Sequence, residues 1–198
     1  GPDCLHALCQ AGLPLCLHYE LGQCMGQAAE LLGRRTVVIG SGDLSHRLKE
    51  DGPYGYQEEG PEFDRRIMDV MEKGAFEELL KFPEDFCETA GECGHRSFIM
   101  MAGTLDTMAV SSQKLSYEGT FGVGYGICCY EVLGRDPERN LLERYEESER
   151  KRLAACRERE DAYVRLARRT IEEYVTTGTM MEVPGDLPRE MYKSRAGA

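Results

Sequence analysis

The sequence predicts an α/β domain. Three observations carry that prediction: an amphipathic stretch feeds into a short β-branched run at 36–39, further helical patterns follow between 62 and 105, and two strand-like runs flank a glycine-rich turn at 119–124. Residues 19–33 place Leu21, Met25, Ala28, Ala29 and Leu32 at helical spacing and stop at Gly33, the residue type that most readily closes a helix. Thr36-Val37-Val38-Ile39 comes next, continuous rather than alternating, as in a strand covered on both faces. That strand ends in Gly40-Ser41-Gly42, and a polar loop carries the chain past Pro53-Tyr54-Gly55 to Pro61. Loops of this length inside a domain are commonly functional. From Glu62 a helix with Phe63, Ile67, Val70 and Met71 inward reaches Gly74, and Phe76, Leu79 and Leu80 mark a shorter one. Another follows Glu92 through Phe98, Ile99, Met101, Ala102 and Leu105. Residues 114–117 and 125–132 read as strands.

Beyond Gly134 the character changes. Residues 135–160 are dominated by charges of both signs, which predicts a charged helical connector. An apolar face then returns through Ala162, Val164, Leu166, Ala167, Ile171 and Val175, stops before Gly178 and leads to Val183-Pro184-Gly185-Asp186-Leu187-Pro188. One helix and one loop cannot bury a core of their own. Residues 1–134 therefore read as the main domain and 161–198 as the truncated start of a second.

The bulk numbers exclude several function classes. The chain of 198 residues is 41% hydrophobic and 30% charged, and no apolar run approaches the ~20 residues that a membrane span needs. A net charge of −11 opposes nucleic-acid binding, because phosphate selects basic faces. Arg150-Lys151-Arg152 sits among acids and reads as a solvated helix face. Nine irregularly spaced cysteines, an odd number, fit reduced thiols in a cytoplasm better than a secreted disulfide scaffold. No export or organelle signal is visible at the first residues. Cys128 and Cys129 are adjacent in a strand-like run, so they point to opposite faces and read as core packing.

Two stretches could do chemistry. His46 follows the first strand by a glycine-containing loop, at the sheet end where α/β proteins bind ligands, and an imidazole can exchange a proton near neutral pH. Asp43, three residues earlier, could orient its ring; alternatively it forms an Asx-turn while His46 bonds only to backbone. Glu92-Cys93-Gly94-His95-Arg96 offers carboxylate, thiolate and imidazole at a predicted helix start. Carboxylate and imidazole suit non-haem iron, and thiolate suits copper or zinc. Consecutive residues seldom point at one ion, so a solvated helix start is the competing interpretation. Gly122-Val123-Gly124 precedes a strand and lacks a following Lys, so it reads as a turn rather than a phosphate loop. Gly40-Ser41-Gly42 is too short for a nucleophile elbow.

The motifs together carry a resemblance. Gly40-Ser41-Gly42-Asp43-Leu44-Ser45-His46-Arg47-Leu48, Gly60-Pro61-Glu62-Phe63-Asp64, Glu92-Cys93-Gly94 and Phe121-Gly122-Val123-Gly124-Tyr125 resemble, in this order, the later part of class III extradiol dioxygenase-like (LigB/Memo-like) domains. Residues 163–172, Val183-Pro184 and Arg195-Ala196-Gly197-Ala198 are similar to the opening of an AMMECR-type domain, as in fusions of the AmmeMemoRadiSam group. The resemblance implies an α/β sandwich with a mixed central sheet, a charged helical connector and a truncated α+β domain. It also implies a non-haem Fe(II) site taking a small aromatic or related substrate, in a cytoplasmic bacterial protein that could form a homo-oligomer. In ring-cleaving relatives the histidine matching His46 is the acid/base, and a glutamate, here Glu92, is the iron ligand. Memo-like relatives place a cysteine before glycine, here Cys93, which implies copper and a metal- or partner-binding role instead. The family's two ligating histidines come from an N-terminal part that residues 1–20 do not match, and His6 and His18 are poor substitutes.

Overall fold

The computed structural model describes residues 3–7, 13–182 and 185, with side chains from residue 13 onward. The chain divides into two compact units at Tyr145/Glu146. In the first, β1 (Asp3–Ala7) and β2 (Thr36–Gly40) pair in parallel, with α1 (Leu15–Leu31) between them in sequence. Next come α2 (Glu59–Lys73), a 3-10 turn (Phe76–Lys81), α3 (Glu84–Ala90) and α4 (His95–Gly103). An antiparallel hairpin of β3 (Met108–Glu118) and β4 (Tyr125–Arg135) follows, and then α5 (Leu141–Glu158) begins.

The core sits among α2, the 3-10 turn, α3 and α4. Phe63, Ile67, Phe76, Leu79 and Ile99 are wholly excluded from solvent, each contributing about 1.5–3 kcal/mol of burial. The sequence placed these residues inward by their 3.6-residue spacing. Helix α1 reaches this core by backbone contact with α4. A Cβ on Gly22 would lie 2.0 Å from the Met100 carbonyl oxygen, and one on Gly103 would lie 2.1 Å from that of Tyr19. Only glycine permits that approach. Asp106 then staples the pieces: its carboxylate accepts from Tyr19 Oη (2.8 Å), Gln23 Nε2 (3.0 Å) and the Leu141 amide (2.9 Å).

Several sequence expectations are corrected. The described strands form two separate pairs rather than one mixed sheet. Strand β2 is not covered on both faces, because Val37 and Ile39 are 47% and 37% exposed and alternate with better-buried neighbours. Residues 36–42 and 126–130 line a common open cleft of about 710 Å³. Strand β3 starts at Met108 rather than 114, because its polar Ser111-Ser112-Gln113 segment lacks the apolar run that marks a strand. Helix α3 has only Cys87 and Ala90 buried and is too short to show a period. Helix α1 starts at Leu15, four residues before the predicted 19. Cys129 is exposed, and of the adjacent pair only Cys128 packs against the core.

In the second unit, α6 (Ala162–Thr177) starts where Asp161 caps the Val164 amide at 2.8 Å and ends at Gly178 in the left-handed conformation. Arg168 bridges Glu160 (2.8 Å) and Glu172 (2.9 Å). The expected motif at Val183-Pro184 and the run Arg195–Ala198 lie outside the described residues. Among the described residues no helix is long and apolar enough to cross a membrane.

Candidate functional site

The loop after β2 is pinned at three places. Leu44 N donates to Gly124 O (2.9 Å), Gly124 N to Ser45 O (2.7 Å) and Leu48 N to Gly122 O (3.1 Å), so the glycine-rich turn acts as a short strand partner. Ser45, fully buried, donates its amide to Asp64 Oδ1 (2.8 Å) and its hydroxyl to Ala90 O (2.8 Å). Finally, Gly42 lies against Gly94 so closely that a Cβ on Gly42 would sit 2.3 Å from the Gly94 Cα. The four motif segments, scattered over more than eighty positions, meet at this loop.

That contact brings Asp43 to Cys93. The Cys93 amide donates to Asp43 O (3.3 Å), and the Asp43 amide donates to Cys93 Sγ (3.2 Å). His46 is anchored by its amide to Gly91 O (3.3 Å). The loop doubles back through a Leu48–Tyr56 bridge, which returns Tyr54 to stack on the His46 ring at 5.1 Å between centroids and 30° between planes. His46 Nε2 lies 3.4 Å from Asp43 Oδ2. The alignment does not make a hydrogen bond, so this buried nitrogen has no hydrogen-bond partner in the structure. Unmade polar bonds in a protein interior are costly and call for an explanation. Donor atoms of Asp43, His46 and Cys93 all lie within 4.8 Å of one another.

Electrostatics separate the groups. Burial pushes the Cys93 thiol up, the Asp43 amide opposes this, and the carboxylates of Asp43 and Glu92 add to the rise. Asp64 is buried and carries two hydrogen bonds, from Ser45 N and Tyr117 Oη. Burial nevertheless pushes its carboxyl up to about 6. Glu92 is tied to the start of α4: its Oε2 accepts from the His95 amide at 2.6 Å. Its donor atoms group with Cys87 and His95 rather than with Asp43 and His46. Burial raises the Glu92 carboxyl, against the His95 amide, the Arg96 charge, the Gly94 amide and the nearby His46.

The structure therefore brings three of the four sequence-derived candidates, Asp43, His46 and Cys93, into one cluster and places the fourth, Glu92, beside it. His18 lies elsewhere, buried on α1 with Nδ1 3.1 Å from Pro14 O. His6 lies on β1 and its side chain is outside the described residues. Sequence reading named His95 within the 92–96 run but missed Tyr54, Asp64 and Cys87. Asp64 stood inside the Gly60–Asp64 motif and could have been suspected as an acid on the apolar face of a helix, next to Phe63 and Ile67. Nothing local marks Tyr54.

A mixed α/β scaffold thus gathers an acid, an imidazole and a thiol where a parallel strand ends, the sheet end at which α/β folds hold ligands. The chain belongs to the family described as the catalytic LigB subunit of aromatic ring-opening dioxygenase, whose sequence profile matches residues 4–128. It is also 38% identical over 180 residues to Protein CA_C1420 of Clostridium acetobutylicum. That alignment covers 90% of this chain and 38% of the relative, so the chain spans well under half the length of the curated protein it matches.

Proposed function

We propose that this chain supplies the proton-transfer side of a non-haem Fe(II) ring-opening site of the LigB type. One observation carries it: the buried Nε2 of His46 makes no hydrogen bond and lies 3.4 Å from Asp43 Oδ2, and donor atoms of Asp43, His46 and Cys93 fall within 4.8 Å of one another. Carboxylate, imidazole and thiol are all metal donors, so the residues present fit a metal ion. Bound iron would supply a Lewis-acidic centre with open positions for a catecholic or similar substrate and oxygen. Cys93 would hold the metal from this chain, with further donors supplied by parts of a longer protein. His46 Nε2 would take and return the substrate's hydroxyl proton, a role that needs a nitrogen free of internal bonds. Asp43 would orient the ring, and Tyr54 would cover its face against water.

A second reading is favoured by the identity of the clustered donor. Cys93 rather than Glu92 accompanies His46, and a thiolate suits copper better than it suits an oxygen-activating iron. On that reading the module is Memo-like and binds metal or a partner without ring cleavage. We also propose that 161–198 opens an AMMECR-type domain. That segment lies beyond the residues that the family profile matches, and the reading rests on the run 163–172.

The full-length protein carrying Cys87→Ala, so that metal is read at the His46 cluster alone, separates these readings when loaded anaerobically with Fe(II) or Cu(I). The expected outcome is metal lost in Cys93→Ala, retained in Glu92→Gln, and catechol-dependent oxygen uptake reduced about 10²-fold or more in His46→Ala. Stoichiometric Cu(I) binding with no oxygen uptake on any catechol would sink the dioxygenase reading. Iron lost only in Glu92→Gln would move the ligand from Cys93 to Glu92.

A further inference from the structure

We infer that Cys87, Glu92 and His95 form a second metal site, distinct from the cluster around His46, that takes a tetrahedral divalent cation of the zinc class. Cys87 projects from α3, His95 is the first residue of α4, and Glu92 lies in the turn between them. Their donor atoms all lie within 4.8 Å of one another. Cys87 Sγ and His95 Nδ1 are 3.7 Å apart. Two ligands at zinc–sulfur and zinc–nitrogen bond lengths, set at the tetrahedral angle, are about 3.6 Å apart. The pair already stands at the spacing that the ion would impose.

The outer contacts are those of a metal-ligating histidine. His95 Nε2 donates to Leu79 O at 2.8 Å, which fixes the proton on Nε2 and leaves the Nδ1 lone pair turned to Cys87. Phe63 and Phe82 pack on the ring at 6.2 and 5.1 Å, which holds its orientation. A small cavity of about 170 Å³ opens beside the three donors, with Leu15, Glu84, Glu88 and Arg96 on its wall, and provides both an entry path and room for a fourth ligand such as water. Three carboxylates face one guanidinium there, a balance that favours a cation.

Charge closes the case. A thiolate, a carboxylate and a neutral imidazole sum to the charge that cancels a divalent ion, so the loaded site would be neutral, as a buried site requires. In binding, the Cys87 sulfur–hydrogen bond breaks, the proton leaves to solvent, and a sulfur–metal bond forms; nothing is oxidised or reduced. The ion would tie α3 to the start of α4 and so fix the 91–94 turn that holds Cys93 against Asp43. The inference does not rest on the function proposed above.

The test uses the full chain carrying His46→Ala and Cys93→Ala, which removes the first cluster. Titrated anaerobically with Co(II), this protein should take up one equivalent with thiolate charge-transfer and tetrahedral ligand-field bands, which Zn(II) displaces and the added change Cys87→Ala abolishes. Absence of the bands in the double variant, or their survival in Cys87→Ala, overturns the site. Should Cys87→Ala fail to fold by circular dichroism, alkylation of the unmutated Cys87, located by mass spectrometry, decides. Zinc at ten times its dissociation constant should slow that reaction about tenfold, and an unchanged rate overturns the proposal.

Discussion

Asp64 is the residue on which the site loop hangs. Its carboxylate accepts from the Ser45 amide and the Tyr117 hydroxyl, yet burial raises its pKa from 3.8 to about 6. The folded protein therefore keeps a proton that the unfolded chain releases over this range, so the contribution of this group to stability is fully present below about pH 4 and is lost as pH rises through about 6. The size is about 2–3 kcal/mol. Asp64→Asn should flatten the difference between unfolding midpoints in urea measured at pH 4 and pH 7. A pH dependence unchanged from the parent would show that another group is responsible. Tyr54 poses a different residue-scale question, since its ring rather than its hydroxyl meets His46. Tyr54→Phe should leave the rate of any His46-dependent reaction within about twofold, whereas Tyr54→Ala should lower it by roughly tenfold, the effect of loosening a positioned acid/base.

Between elements, the close approaches are made by glycines whose substitution has a geometric consequence. A Cβ on Gly22 would overlap the Met100 carbonyl, so Gly22→Ala must separate α1 from α4 and should cost about 1–3 kcal/mol in urea unfolding. A Cβ on Gly42 would meet the Gly94 backbone, so Gly42→Ala should displace Cys93 from Asp43. Metal affinity at the first cluster should then fall more than stability does. Equal loss of both would mean that the loop merely packs. The helices were legible in the sequence because Phe63, Ile67, Val70 and Met71 repeat at the helical period, and Gly74 and Gly178 stop their helices where expected. The short α3 was not legible, since seven residues with two buried positions show no period. Strand β2 was legible as a strand, but its environment was not: Thr36-Val37-Val38-Ile39 is apolar on both faces, while in the described structure Val37 and Ile39 face the open cleft.

For the whole molecule, the division at Tyr145/Glu146 predicts that the first unit carries every site residue this chain supplies. A chain ended after Tyr145 keeps the Leu141 and Leu142 side chains buried in the first core. It should retain the metal stoichiometry of the parent and unfold at the same urea midpoint; a lowered midpoint would assign part of that stability to the rest of α5. The apolar walls of the cleft between β2 and β4 should bind a hydrophobic dye with enhanced fluorescence in the 198-residue chain. The sequence by itself determined the family, the helical core and the loop Gly40–His46, because these depend on local periodicity and on motifs that survive as short strings. Only the tertiary structure decided which donors share a site. Cys93 and Glu92 are neighbours in the chain, yet Cys93 groups with Asp43 and His46 while Glu92 groups with Cys87 and His95. That grouping is set by the bond from the His95 amide to Glu92 and by the Gly42–Gly94 contact, which joins distant segments and which no run of residues encodes.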